Sequence, residues 1–384
     1  MKYAPGSFDA DMMAIALRMA ERGLGATWPN PAVGAVIANP ETVEVITRAT
    51  TARGGRPHAE TQAIASAGDR AKGATIYVTL EPCSHQGHTG PCADAIIASG
   101  LKRVVVAIED PDPRVAGRGL DRLRAAGLNV VRGIGAAEAR WITRGHIVRI
   151  TERRPFVTLK MALDADGGIA SGEGSKPVWV TGPEARAHGH LLRARHDAIL
   201  VGCGTVKADD PELTCRLPGL ADRSPVRVVL SRDLDISATS RLVASARRVP
   251  LWLVTSADAD ATRRLSLVAA GAQTIDVATV QNKLWLPAVM EALVARGITR
   301  LLVEGGPSMW RAFADASLVD EVVVYQAGPT QANDKGPAND KGMRGLVAIG
   351  SYLGDLKLNV GVEPRHLGAD TMWWFRRVTG TEGH

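Results

Sequence analysis

The chain has 384 residues, 45% hydrophobic and 22% charged, with a formal net charge of +6, so two or three soluble globular domains are expected. No apolar run approaches the roughly 20 residues of a membrane span, and four cysteines do not make a disulfide framework, which excludes a membrane helix and a cross-linked secreted scaffold. The basic residues are scattered and aromatics are only 4%, without the aromatic–basic stripe that stacks bases; no nucleic acid or membrane partner is expected, and the expected compartment is the cytoplasm.

The first six residues lead into an amphipathic helix rather than a signal peptide. Met12, Met13, Ile15, Ala16 and Met19 recur at helical spacing over residues 9–22, and Gly23 closes that helix. A short buried strand is predicted at 32–37, a helix at 58–67, a strand at 75–80 and a helix at 92–99. Strand 103–108, helix 120–126, strand 130–134 and helix 136–149 complete the first region. Strands separated by helices imply a largely parallel sheet covered on both faces. Glu152-Arg153-Arg154-Pro155 reads as a linker, with the domain boundary near residue 150. Beyond it, Val/Ile/Leu-rich strands are predicted at 156–160, 198–202, 226–230, 251–254, 301–304 and 321–325, with helices at 184–195, 288–296 and 308–314. Asn333-Asp334-Lys335-Gly336 recurs as Asn339-Asp340-Lys341-Gly342 and reads as a polar loop.

The chemistry concentrates in residues 58–92: His58-Ala59-Glu60, Glu81-Pro82-Cys83 and Pro91-Cys92. One histidine and two cysteines can give three ligands to a tetrahedral zinc ion and leave a fourth position for water. Glu60, two residues after His58, can move protons without binding the metal. Most single cysteines are small core hydrophobes, and His-x-Glu is common in any sequence. The order H-x-E, P-C, C nevertheless fits the zinc nucleobase deaminases, in which acidified water attacks a ring carbon bearing an amino group. Where the general signature has Cys-x-x-Cys, eight residues (84–91) separate the two cysteines here, and their glycines and proline allow the loop to fold back. Cys83 lies just past a strand, where ligands of such sheets collect. His58 and Cys92 open helices, whose N-termini favour thiolate. On the residues alone two other readings stay open: a deaminase of a nucleoside or of tRNA, and a structural zinc module with His85 or His88 as a fourth ligand.

In the second region Gly202-Cys203-Gly204-Thr205 and Gly305-Gly306-Pro307 are glycine turns after strands. The latter precedes a helix and can offer backbone N–H groups to phosphate. Neither is G-x-G-x-x-G, so a standard Rossmann site is not expected. Cys203 and Cys215 read as small buried hydrophobes.

With Asn30-Pro31-Ala32-Val33-Gly34-Ala35-Val36, the His58-Ala59-Glu60 core, Thr79-Leu80-Glu81-Pro82-Cys83-Ser84-His85 and the stretch 110–119, the first region resembles the deaminase half of the bifunctional riboflavin-biosynthesis deaminase–reductases. The second region resembles their reductase half through Leu159-Lys160-Met161-Ala162, Asp166-Gly167, the 197–206 and 209–216 stretches and Val303-Glu304-Gly305-Gly306. The resemblance implies an α/β protein: a zinc cytidine-deaminase-like three-layer domain over 1–150, then a dihydrofolate-reductase-like α/β domain over 151–384. It implies hydrolysis of an amino group from a diaminopyrimidinone ribotide, then NADPH-dependent reduction of its ribosyl group to ribityl. The expected partner is therefore a small pyrimidine ribose phosphate, and the chain is expected to be a homo-oligomer.

Carried over by the resemblance, His58, Cys83 and Cys92 hold Zn2+, Glu60 shuttles protons, and Asn30 and His85 face the ribotide. Ala162, Trp179, Thr205, Asp209, Ser231 and Gly306 contact NADPH. Ser175, Arg193, Leu213, Arg216 and Glu304 hold the ribose phosphate, both arginines being suited to bidentate phosphate pairing, and Lys160 is a charge partner in the reductase cleft. The chain departs from the family pattern at His88, at Thr51 (where a ring-flanking histidine is expected nearby), at Asp164, and through Pro177-Val178 between Ser175 and Trp179.

Overall fold

The computed structural model describes residues 7–86, 90–168, 180–328, 358–360 and 363–377, with the backbone alone at 358–360. His88, Ser175, Trp179 with the Pro177-Val178 insertion, and the 333–342 repeat lie outside the described residues. The chain divides into two compact units, Met1–Pro155 and Phe156–His384.

The first unit runs α1 (Ser7–Gly23), β1 (Gly34–Asn39), β2 (Glu44–Thr50), α2 (Ala59–Ala67), β3 (Thr75–Val78), α3 (Cys92–Ala98), β4 (Arg103–Val106), α4 (Arg118–Ala125), β5 (Asn129–Arg132) and α5 (Ala136–Glu152). Its sheet has the order β2-β1-β3-β4-β5. The expectation of a largely parallel sheet needs correcting. Strand β1 is antiparallel to both neighbours, and only β3, β4 and β5 run parallel. The sheet is mixed because β1 and β2 form a hairpin, and β2 was not anticipated: it is an edge strand with no residue fully buried. Other boundaries shift. Strand β1 begins at Gly34 rather than at 32, β3 and β4 end at Val78 and Val106 rather than at 80 and 108, and α2 begins at Ala59, leaving His58 as its extended N-cap.

Helix α1 lies directly on β1. A Cβ on Gly34 would stand 1.8 Å from the carbonyl oxygen of Ala16, so the helix backbone occupies the space a side chain would need. Met13, Ala16 and Leu17 are buried in the resulting core with Val36, Ile37, Ile76 and Val104. Asp9 ties the start of α1 to the sheet: Arg103 Nη1 and Nη2 donate to its two oxygens at 2.7 and 2.6 Å, and the Tyr77 hydroxyl donates to Oδ1 at 2.8 Å.

The second unit contains β6 (Phe156–Leu163), α6 (Pro183–Ala194), β7 (Ala198–Gly202), α7 (Cys203–Asp209), β8 (Val226–Leu230), α8 (Arg241–Ala244), β9 (Leu251–Thr255), α9 (Ala261–Ala269) and β10 (Gln273–Asp276). A small hairpin of β11 (Thr279–Val280) and β12 (Lys283–Leu284) leads to α10 (Leu286–Ala295), β13 (Arg300–Glu304), α11 (Pro307–Asp315) and β14 (Glu321–Gln326). Strands β15 (Leu358–Val360), β16 (Arg365–Leu367) and β17 (Asp370–Arg377) follow. The sheet order is β10-β9-β8-β7-β13-β6-β14-β17-β15, with β16 beside β17. From β10 to β14 every pair is parallel, and β17 is antiparallel to β14, β15 and β16. Buried on both faces, the inner parallel strands read as Val/Ile/Leu runs, which is why they were legible, whereas the edge strand β10 (Gln-Thr-Ile-Asp) is mostly uncovered and was not anticipated. The order places the carboxyl ends of β8, β7, β13 and β6 side by side, and the residues after those ends form one rim. Among the described residues no helix is long and apolar enough to cross a membrane.

Candidate active sites

In the first unit His58, Cys83 and Cys92 meet. His58 Nδ1 lies 3.3 Å from Cys92 Sγ and 3.8 Å from Cys83 Sγ. A tetrahedral zinc ion separates sulfur and nitrogen ligands by roughly 3.6–3.8 Å, given bonds of about 2.3 and 2.1 Å, so the donor set fits zinc. Each donor has a local cause. His58 is the N-cap of α2, Cys92 is the first residue of α3, and Cys83 follows β3 by five residues. The Cys92 N–H donates to Cys83 Sγ at 3.3 Å, and the Ala93 N–H to the Cys83 carbonyl at 3.2 Å, so the start of α3 holds the Cys83 turn.

The three donors share charge. The hydrogen bond from Cys92, with help from His58 and against burial, holds the Cys83 thiol down to about 4. Cys92 is pushed up by its bond to Cys83 and by burial, and His58 is raised chiefly by its bond to Cys83. Among the described residues no fourth histidine, cysteine or acid joins the group, and His85 is not part of it. His88, the other candidate fourth ligand, lies outside the described residues.

Glu60 is 3% exposed, and its Oε2 has no hydrogen-bond partner. Burial raises its pKa, so the carboxyl holds a proton beyond the usual carboxylate range. A buried, unpaired carboxyl oxygen beside a metal triad is what a proton shuttle requires. Asn30 donates its side-chain N–H to the Gly55 carbonyl at 2.8 Å, which leaves its Oδ1 for a ligand. His85 carries a buried Nδ1 without a partner. Thr51 does not stand in for a ring-flanking histidine: it is 3% exposed, and its hydroxyl accepts the Val33 N–H at 3.0 Å.

In the second unit the structure joins Lys160, Arg193 and Glu304. Arg193 donates through Nε to Glu304 Oε1 at 2.9 Å and through Nη2 to Oε2 at 2.8 Å, and Lys160 Nζ reaches Oε2 at 3.3 Å. Burial works against the Glu304 charge, yet Arg193 and Lys160 hold its carboxyl well below the usual range. The expectation that Arg193 offers its fork to phosphate meets a guanidinium already engaged, by Glu304 through Nε and Nη2 and by the Thr214 carbonyl through Nη1. Arg216 is the more open cation, with 45% of its side chain exposed and a 3.4 Å pairing to Glu212.

His190 on α6 was missed by the sequence reading. Its Nδ1 lies 3.1 Å from the Thr214 carbonyl and 3.3 Å from the Arg216 N–H, and Arg193 Nη1 donates to the same carbonyl at 3.1 Å. Helix α6 thus grips the segment that follows Leu213, which adopts a left-handed φ of 54°. Helix α6 also contacts β14: His188 Nδ1 lies 2.7 Å from the Tyr325 hydroxyl, and Tyr325 is the register partner of Ala162 on β6.

The remaining cofactor candidates stand on the same rim. Thr205 and Asp209 lie on α7 after β7, buried Ser231 follows β8, and Gly306 is the N-cap of α11 after β13. A Cβ would meet nothing within 4 Å at Gly204 or at Gly306, so both glycine turns leave open space, and no side chain caps α11. That open backbone fits a phosphate-bearing cofactor. Asp164 Oδ1 instead closes its own turn, accepting the N–H groups of Asp166 at 3.0 Å and Gly168 at 2.7 Å.

Comparison with known proteins agrees with both halves. Residues 7–108 match the cytidine and deoxycytidylate deaminase zinc-binding region, and residues 155–330 match the RibD C-terminal domain. The riboflavin biosynthesis protein RibD of Aquifex aeolicus is 37% identical over 369 residues, covering 96% of this chain and 98% of its own. The Escherichia coli protein of the same name is 37% identical over 375 residues, covering 94% and 97%. Among solved structures, a diaminohydroxyphosphoribosylaminopyrimidine deaminase/5-amino-6-(5-phosphoribosylamino)uracil reductase from Thermotoga maritima is 32% identical. It covers 97% of this chain and 99% of its own, with a TM-score of 0.79.

Proposed function

The chain belongs to the RibD family, and from that premise we propose that the His58–Cys83–Cys92 group with Glu60 is its deaminase centre and that the Lys160–Arg193–Glu304 rim is its reductase centre. The protein is a bifunctional deaminase and reductase of riboflavin biosynthesis, a zinc hydrolase joined to an NADPH-dependent oxidoreductase. Its deaminase substrate is the diaminopyrimidinone ribotide. Water replaces one ring amino group, which leaves as ammonia, and the ribosyl group is then reduced to ribityl.

In the deaminase centre, zinc when bound supplies a Lewis acid that brings the pKa of water near neutrality. Glu60 accepts a proton from water on its unpaired Oε2 and returns it to the leaving amine. Its buried setting keeps that proton in place between the two transfers. The Asn30 side-chain oxygen and His85 orient the pyrimidine.

In the reductase centre, NADPH when bound supplies hydride. Backbone at Gly306, with Ala162, Thr205, Asp209 and Ser231, holds the cofactor, together with Trp179. The Glu304 carboxylate would orient ribose hydroxyls, Lys160 would balance the charge, and Arg216 with Leu213 would meet the phosphate, for which the family resemblance also implies Ser175. Arg193 serves that arrangement by fixing Glu304 and the Thr214 carbonyl.

The observation that carries this reading is the convergence of three metal donors beside the unpaired Glu60 oxygen. Product mass after incubation with the ribotide, zinc and NADPH tests it. Exchange of an amino group for oxygen with gain of two hydrogens is expected, and unchanged substrate with zinc bound would overturn it.

A further inference from the structure

Glu81 is 3% exposed and stands two residues before Cys83. Its carboxylate accepts four backbone N–H groups. Oε2 takes those of Asp110 at 3.2 Å and Gly117 at 2.9 Å, and Oε1 takes those of Gly119 at 2.9 Å and Leu120 at 3.3 Å. Gly119 and Leu120 lie in the first turn of α4, whose N-cap is Gly117, in the left-handed conformation and with no side chain to offer. A helix leaves its first N–H groups without intrahelical partners, and an anion there is favoured by the helix dipole. The partner that α4 lacks locally is supplied from 36 to 39 residues earlier in the chain.

The fit is close. A Cβ on Gly119 would stand 2.2 Å from the Pro82 carbonyl oxygen, so the 81–82 turn presses against the first turn of α4 with no room between. On its other side, Cys83 is held by the start of α3 through the Cys92 and Ala93 N–H groups. The Cys83 thiolate is therefore placed by two helix N-termini: α3 holds the sulfur and its carbonyl, and α4 holds the carboxylate two residues upstream.

We propose that Glu81 is a positioning residue for the metal centre: by capping α4 it fixes the turn that presents Cys83, so that metal affinity depends on a carboxylate outside the ligand set. This rests on the reading of His58, Cys83 and Cys92 as zinc ligands. Groups that orient a metal ligand from behind typically contribute about 10- to 100-fold in affinity. Glutamine at this position keeps one acceptor oxygen but turns an amide NH2 toward two N–H groups, whereas aspartate keeps the charge on a shorter stem.

The test is zinc affinity of the full-length chain by chelator competition, together with the absorption spectrum of the cobalt-loaded form and the thermal midpoint. Glu81→Gln is expected to bind zinc about 10- to 100-fold more weakly with an altered cobalt spectrum, and Glu81→Asp to recover part of the loss. Leu123→Ala, which removes a fully buried side chain of α4 without touching the cap, is expected to lower the thermal midpoint and keep wild-type zinc affinity. Unchanged affinity in Glu81→Gln overturns the proposal. So does an equal affinity loss in Leu123→Ala at a matched thermal midpoint, since Glu81 would then act through stability alone. If Glu81→Gln does not fold, the same criteria apply to Glu81→Asp. A wild-type chain that binds no zinc would refute the ligand assignment instead.

Discussion

Arg193 closes two arms of its guanidinium on the carboxylate of Glu304, across 111 residues of sequence, at 2.9 and 2.8 Å. Both side chains are mostly covered, 14% and 12% exposed, and removing Arg193 leaves the Glu304 charge with Lys160 alone. Arg193→Ala is expected to destabilise the second unit by about 3–5 kcal/mol. Arg193→Lys is not expected to restore it, because an ammonium cannot reproduce the two-armed geometry. Urea denaturation of the variants measures this; a loss below about 1 kcal/mol for the alanine variant would contradict it.

His190 gives the second unit a pH dependence. Burial first, then Arg193 and Arg216, lower its pKa from 6.5 to about 4. Between those values the unfolded chain binds a proton that the native chain does not, so stability is full above 6.5 and declines as pH falls through the window. The imidazole is only half buried, and after allowance for solvent screening the effect is on the order of 1 kcal/mol. His188 is lowered by burial in the same direction, and Glu304 acts mainly below the window. Urea denaturation at pH 7 and pH 5 should show a smaller difference for His190→Gln than for the wild type; equal differences would remove His190 as a source.

Glu60→Gln keeps the size of the side chain but cannot take a proton from water. Deamination is expected to fall by roughly 10²- to 10⁴-fold, with bound zinc per chain and reduction of the deaminated ribotide unchanged. Retained deamination would assign the shuttle to another group.

Metal removal should separate the two activities. Dialysis against a strong chelator is expected to abolish deamination, to leave NADPH oxidation with the deaminated ribotide intact, and to be reversed by zinc. Loss of both activities after chelation would count against the metal acting in the first unit alone.

At Gly34 the packing of α1 admits no Cβ, which would lie 1.8 Å from the Ala16 carbonyl oxygen. Gly34→Ala must push helix from sheet and is expected to destabilise the first unit by about 1–3 kcal/mol. A melting curve that matches the wild type would show that α1 can move freely.

The metal donors were legible because each sits at an element end that the sequence announces: Gly68 closes the helix after His58, a β-branched run precedes Cys83, and Cys92 opens a helix. The inner parallel strands of the second unit were legible as apolar runs, but the edge strand β10 was not. Strand β2 was not, since Glu44-Val45-Ile46-Thr47-Arg48-Ala49-Thr50 neither alternates nor forms an apolar run, and as an edge strand it has no fully buried position to mark it. Nor was the direction of β1, because parallel and antiparallel pairing follow from the partner and not from the strand itself. The Arg193–Glu304 and Glu81–α4 pairings lie beyond any local pattern: each joins groups dozens of residues apart, and a glutamate beside Cys83 looks the same in sequence whether it faces water or four amides.

The residues proposed for each reaction belong to one unit: His58, Glu60, Cys83 and Cys92 to the first, Lys160, Arg193, Arg216 and Glu304 to the second. A lesion in one set leaves the other set's ligands in place. Two alleles of this gene, one crippled at Glu60 and the other at Glu304, are therefore expected to complement each other in a single cell, one supplying the deaminated ribotide and the other reducing it. Riboflavin auxotrophy would then score as recessive for either lesion, appearing when every copy carries the same one.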